Sequence, residues 1–164
     1  MAKEFDVSGV KVMLGMPTNR DLPYQTVRSL VETCSLLQAR GIKYDCELVV
    51  GSSIVEAARS RVADVFLKSD CTHLFWLDSD MSWKAEDFVR LVAFATCLDV
   101  VGGIYPAKKD PLTFFLKVDD ETRIETNEFG CMPVRGLGLG FTIVSRAVMS
   151  KLADQSPKLI FPES

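Results

Sequence analysis

Up to Gly103 the sequence alternates short apolar runs with longer segments of helical period, and this alternation restricts the fold more than any other feature. Residues 10–16 form a mostly apolar run closed by Pro17, read as a buried strand with a loop over 17–22 behind it. Val27, Leu30, Val31, Cys34 and Leu37 then recur at helical spacing, with Pro23 suited to a first turn and Gly41 to a stop. A second strand is predicted over 44–50 and a third over 72–77. Between them Ile54, Val55, Ala58, Val62, Val65 and Phe66 mark one face of a helix ending near Lys68. Phe88, Leu91, Val92 and Ala95 repeat the period with Ser82 as the expected N-cap, and residues 100–103 resume extended chain.

The order βαβαβαβ with right-handed crossovers predicts an α/β fold, a mainly parallel twisted sheet with helices on both faces. Past Thr113 the texture changes. Residues 113–118 and 122–126 flank the acidic turn Asp119-Asp120-Glu121 as in a C-terminal hairpin, and residues 136–145 lead into a last helix over 146–153. With no repeat, linker or low-complexity segment, residues 1–164 read as a single domain.

Composition narrows the functions. A chain that is 48% hydrophobic and 25% charged has material for a real core. Its formal net charge of -3 and single His argue against a general nucleic-acid binder, which needs a surplus of Lys and Arg on one face. Cys34, Cys46, Cys71, Cys97 and Cys131 are odd in number and never spaced as C-x-x-C, so neither a disulfide framework nor a zinc site is signalled. The N-terminus lacks a signal-peptide stretch and no apolar run approaches the ~20 residues of a membrane span, so the expected location is the cytoplasm.

Open α/β sheets bind ligands at the carboxyl ends of their strands, which directs attention to the loops after Met16, Val50, Leu77 and Gly103. The loop after Leu77 stands out because Asp78 and Asp80 are two residues apart directly behind an apolar strand. Side chains at i and i+2 of extended chain share a side, so both carboxylates can converge on one ion. Their hard oxygens suit Mg²⁺ or Mn²⁺, ions that keep waters and complete their shell with substrate phosphates. Arg59 lies at the edge of its helix's apolar stripe, where the stem packs and the planar guanidinium reaches out, a geometry suited to phosphate. His73 reads as a structural residue at a strand start, and Trp76 and Trp83 as packing residues.

Four stretches together resemble the GT-A type glycosyltransferases: Ala58-Arg59-Ser60, Phe66-Leu67, the run from Thr72 through Trp76-Leu77-Asp78-Ser79-Asp80, and Val100-Val101-Gly102-Gly103-Ile104-Tyr105-Pro106. The similarity covers about residues 10–152, with Ser60 where the family more often has Asn. The resemblance implies a nucleotide-diphosphate sugar donor, a UDP-sugar before others, held with Mn²⁺ or Mg²⁺ by Asp80 and Asp78. Asp78 would lie near the ribose or a metal-bound water. It also implies donor contacts from Pro17, Thr18, Asn19 and Arg20 after the first strand, from Arg59, and from Ser79 between the two carboxylates. Lys108, Gly138 and Gly140 fall on the expected acceptor side, towards a saccharide or other acceptor. The family's carboxylate base usually lies beyond the point where this sequence stops, so the chain is expected to lack the C-terminal acceptor and catalytic segment, and no base is assigned. A homo-oligomer is left open.

Two other readings compete. One is a nucleotidyltransferase on a related sheet, against which residues 15–20 lack a glycine-rich, Arg-bearing loop. The other is a non-catalytic domain that binds sugar nucleotides.

Overall fold

A computed structural model describes residues 4–51, 54–106, 113–114, 116–118 and 125–156. Its main sheet is built from β1 (Lys11–Thr18), β2 (Lys43–Val50), β3 (His73–Leu77), β4 (Val100–Gly102) and β7 (Phe141–Ser145), in the order β2-β1-β3-β7-β4. A separate two-stranded piece pairs β5 (Leu116–Lys117) with β6 (Gly136–Leu137). The helices are α1 (Tyr24–Ala39), α2 (Val55–Lys68), α3 (Ala85–Phe94) and α4 (Arg146–Gln155).

The fold is α/β as expected, but the sheet is mixed. β1 pairs in parallel with β2 and with β3, whereas β7 runs antiparallel between β3 and β4. Burial explains the insertion. All five residues of β7 are buried, which suits a strand covered on both faces, while β4 has three residues and an exposed Val100, which suits an edge. Close approach of β4 to β7 needs Gly102, where a Cβ would lie 2.4 Å from Thr142 Oγ1.

Alternation along the strands divides the core in two. Val12, Leu14, Met16, Phe75 and Leu77 face one layer with Leu37, Phe88 and Val92, and Met13, Leu74 and Trp76 face the other with Val62, Phe66 and Met149. Helices therefore cover both faces, α1 and α3 on one, α2 and α4 on the other. Phe75 stacks on Phe88 with centroids 3.9 Å apart, and Phe141 meets Phe75 edge-on at 5.1 Å. Each such pair adds about 0.5–1.5 kcal/mol beyond area burial, directly beneath the carboxyl end of β3. On the other face Gly15 lets α2 lie close to β1, since a Cβ there would stand 2.5 Å from Val62 Cγ1.

Arg146, the first residue of α4, closes the far end of α2. Its guanidinium donates to the carbonyls of Phe66, Leu67, Ser69 and Cys71 and lies 4.5 Å over the Phe66 ring. A cation on the orphan carbonyls of a helix C-terminus satisfies both their hydrogen bonding and the helix dipole. His73 is structural, its Nε2 3.2 Å from Ala95 O and its Nδ1 2.9 Å from Thr72 Oγ1, at the end of β3 remote from Asp78.

Several local expectations need correction. β1 continues through Pro17 to Thr18, and Pro17 is tolerated because β3 pairs with β1 only as far as Gly15. Lys84 rather than Ser82 is the N-cap of α3. Ile54, Val55 and Val65 are exposed, and α2 buries Ala57, Ala58, Val62 and Phe66. In α1 Val27 and Val31 are 43% and 60% exposed, and the buried face is Thr26, Ser29, Thr33 and Leu37. The expected hairpin is described only in part, since residues 115 and 119–124 lie outside the described residues. Leu116 pairs with Leu137 and Lys117 with Gly136, residues 125–126 carry no strand, and the turn Asp119-Asp120-Glu121 lies outside the described residues.

Candidate functional site

β3 ends at Leu77 and the chain turns through Ser79 and Asp80. The Asp78 amide continues the β3–β7 ladder by donating to Gly140 O at 2.9 Å. That bond fixes the backbone from which the side chain leaves. From the opposite wall, one turn from the start of α2, Arg59 Nη2 donates to Asp78 Oδ1 at 3.0 Å. Both side chains are half-buried, so solvent screening holds the pair's contribution to stability at or below about 1 kcal/mol. Its effect is orientation: the guanidinium and the carboxylate are held against one another where they border a cleft.

That cleft is a cavity of about 290 Å³ lined by Pro17, Thr18, Asn19, Val55, Ala58, Arg59, Asp78, Ser79 and Asp80. The volume is at the lower end of small-ligand sites. Three chain-distant segments meet there, at the carboxyl ends of neighbouring parallel strands and the start of α2. Arg20 does not line the cavity; its Nε donates to Asn19 Oδ1 at 3.4 Å on the exposed side. The Thr18 hydroxyl donates to Arg20 O at 2.7 Å and so shapes the turn. Lys108 falls outside the described residues, and Gly138 contributes a carbonyl to Thr142 Oγ1 at 2.7 Å.

Gly140 belongs to this site more closely than its sequence context suggests. A Cβ on it would lie 2.3 Å from Asp78 Oδ2 and 2.5 Å from the Tyr105 hydroxyl. Its amide donates to that hydroxyl at 2.8 Å. Burial pushes the Tyr105 phenol above its ordinary pKa, and the neighbouring Asp78 and Asp80 carboxylates push the same way. Tyr105 therefore keeps its proton beside Asp78. The sequence reading assigned Tyr105 no role and missed Val55 and Ala58 as lining, because each contact joins segments far apart in the chain.

The donor set suits a hard divalent cation. The lining residues offer carboxylate oxygens and neither thiol nor imidazole. With Oδ1 of Asp78 turned to Arg59, Oδ2 and the Asp80 carboxylate are the groups that would hold Mg²⁺ or Mn²⁺, leaving the rest of the shell to water and phosphate. A second acidic group among the described residues, Asp45, Asp70 and Cys71, lies at the start of β1 and β3, remote from the cleft. An ammonium already fills it: Lys11 Nζ is 2.8 Å from Asp45 Oδ2 and also bonds Asp70. Those bonds raise the Lys11 pKa and lower both carboxylates, while burial raises the Cys71 thiol, so the cluster is a paired cation and not a metal centre.

The fold and this cleft define an α/β protein with an acidic, cation-compatible site at the carboxyl edge of its sheet. Compared with known families and with curated proteins, the chain matches neither a family model nor a curated sequence. Among the described residues no helix is long and apolar enough to cross a membrane.

Proposed function

We propose that the cleft binds a nucleoside-diphosphate sugar, a UDP-sugar before others, and that the chain is a metal-dependent glycosyltransferase of GT-A type acting in the cytoplasm. The observation that carries this reading is the meeting of Asp78, Ser79 and Asp80 with Arg59 and the Pro17–Asn19 segment around one cavity. Phosphate is recognised by a fixed guanidinium fork and by carboxylates that share a cation with it, and both kinds of group face the same space here.

Arg59 has donors beyond the one given to Asp78, and a diphosphate lying beside the pair could accept from them. Val55 and Ala58 give the base or ribose an apolar wall beside Pro17. The Tyr105 hydroxyl accepts from the Gly140 amide, and both lie near Asp78 Oδ2. A bound Mn²⁺ or Mg²⁺ would stabilise negative charge growing on the departing diphosphate. The acceptor, a saccharide or another hydroxyl compound, would approach from the β4–β7 side near Gly138 and Gly140.

The deciding experiment is calorimetric titration of UDP with Mn²⁺ and with chelator, followed by transfer of radiolabelled sugar from UDP-sugars to candidate acceptors. Mn²⁺-enhanced binding with transfer supports the enzyme. Enhanced binding without transfer to any acceptor assigns a sugar-nucleotide-binding domain, and pyrophosphate release from sugar phosphate and nucleoside triphosphate assigns a nucleotidyltransferase. Equal binding in chelator overturns the metal assignment.

A further inference from the structure

Helix α1 buries three hydroxyls where an apolar stripe is usual. Thr26, Ser29 and Thr33 are 1%, 4% and 0% exposed. Their spacing places them on one face of the helix, turned to the interior. A hydroxyl buried without a partner destabilises a fold, so such a row persists only where something consumes it. All three are consumed by one segment, the chain just beyond β3. Thr26 Oγ1 lies 2.7 Å from Met81 O and 3.2 Å from Ser79 O. Ser29 Oγ donates to Trp83 O at 2.9 Å and accepts from Trp83 N at 3.0 Å, and Thr33 Oγ1 accepts from Trp83 Nε1 at 2.9 Å.

The two carbonyls gripped by Thr26 belong to the residues immediately before and after Asp80. Asp78 is fixed through Gly140 and Trp83 through Ser29 and Thr33, so the peptide units around Asp80 are the part of the turn that neither anchor reaches. No strand or helix holds residues 79–84, and Asp80 itself is exposed. The Thr26 hydroxyl restrains both flanking units, giving its proton chiefly to the nearer Met81 O and sharing it with Ser79 O.

We propose that Thr26 is a positioning residue for Asp80: it holds the turn so that this carboxylate stands beside Asp78 before any ligand arrives. The assignment rests on the reading of the cleft as a metal-dependent nucleotide site. It adds that α1 is part of the site's machinery, although none of its residues lines the cavity. It also ties two walls of the cleft together, because α1 starts directly after the 19–22 loop that follows β1 and is latched to the turn after β3. A ligand-holding carboxylate on a turn outside helix and strand keeps its geometry through such backing.

The test uses Thr26→Val, which keeps shape and removes the hydroxyl, and Thr26→Ser, which restores it. Two quantities are read in each: amide hydrogen exchange over residues 79–83, with the amides of β1 and α2 as internal control, and UDP affinity with Mn²⁺ and with chelator. Thr26→Val is expected to speed exchange in 79–83 about tenfold, the loss of roughly one buried hydrogen bond, with β1 and α2 unchanged. It is expected to shrink the Mn²⁺ enhancement by a similar factor while affinity in chelator stays as in wild type, and Thr26→Ser should recover both. Unchanged exchange in 79–83 overturns the proposal, as does a loosened turn with full Mn²⁺ enhancement. Failure of the nucleotide reading looks different: the wild type itself shows no Mn²⁺ enhancement. In that case exchange alone decides, with protection lost in Thr26→Val supporting the latch and protection kept overturning it.

Discussion

Adding one methyl group at Gly140 should separate the metal-dependent part of ligand binding from everything else the domain does. Gly140 is not among the glycines with positive φ, so alanine is conformationally acceptable and only contact is at stake. The new Cβ would stand 2.3 Å from Asp78 Oδ2, 2.8 Å from Asp78 Cγ and 2.5 Å from the Tyr105 hydroxyl. Unstrained contacts lie near 3.5–4.0 Å, so the Asp78 carboxylate must retreat by roughly 1 Å. Overpacking typically costs about 1–3 kcal/mol, and the lower end applies because the half-buried Asp78 can swing towards solvent. Liganding groups tolerate displacements of only about 0.5 Å, so that swing should lower Mn²⁺-dependent UDP affinity by about tenfold or more. Calorimetric titration of UDP with Mn²⁺ and with chelator, beside a thermal melt, reads both effects. Gly9→Ala is the control, since a Cβ there meets nothing within 4 Å. Should Gly140→Ala lose stability yet keep the full Mn²⁺ enhancement, Gly140 merely packs and the placing of Asp78 Oδ2 in the metal set is wrong.

Asp80→Asn should abolish the Mn²⁺ enhancement while unfolding free energy shifts by no more than ~0.5 kcal/mol, because an exposed carboxylate is replaced by a neutral isostere; retained enhancement in titration removes Asp80 from the metal set. Asp78→Asn should be milder towards the ion and should also weaken the bond from Arg59. Arg59→Ala should weaken UDP binding by ~1.5–3 kcal/mol, and Arg59→Lys should recover only part, since an ammonium cannot fork; unchanged affinity beside a large drop in melting temperature would make Arg59 structural. Burial lowers the His73 pKa below its ordinary value of 6.5, so the unfolded chain takes up the proton first and stability falls as pH drops from about 7 towards 5. Melting temperatures across that window should slope less in His73→Asn than in wild type, and parallel slopes would refute the assignment.

The elements legible in the sequence are those whose partners are nearby or whose pattern is unambiguous. Phe88, Leu91, Val92 and Ala95 are all buried as their period required, and the apolar run before Asp78 is a strand with a cleft at its end. Periodicity misled where polar residues are the ones buried. In α1 it selected Val27 and Val31, but the hydroxyls of Thr26, Ser29 and Thr33 face inward because the turn after β3 needs donors and acceptors there. A hydropathy pattern is blind to that demand. The position of β7 was equally hidden, since alternation of strands and helices predicts parallel neighbours and carries no mark of a late strand inserting between two earlier ones. Pro17, Asn19, Arg59 and Asp78–Asp80 line one cleft at the carboxyl ends of the strands, where the strand-end rule directed attention. Tyr105 and the approach of Gly140 to Asp78 became visible only once β7 was seen beside β3.

The insertion of β7 also governs the order in which the molecule can be completed during synthesis. Emerging from the ribosome, the chain can pair β1 with β2 and β3 as soon as Leu77 is free, yet β3 then presents its second edge, His-Leu-Phe-Trp-Leu, to solvent. β4 cannot shield it, because β4 docks on β7 and not on β3. Until Phe141 to Ser145 are made, an apolar strand with open hydrogen-bonding groups is a template for another chain. A nascent or truncated chain ending before Phe141 is therefore exposed to aggregation and to chaperones, and release from that hazard comes in one step, when β7 slots into the gap.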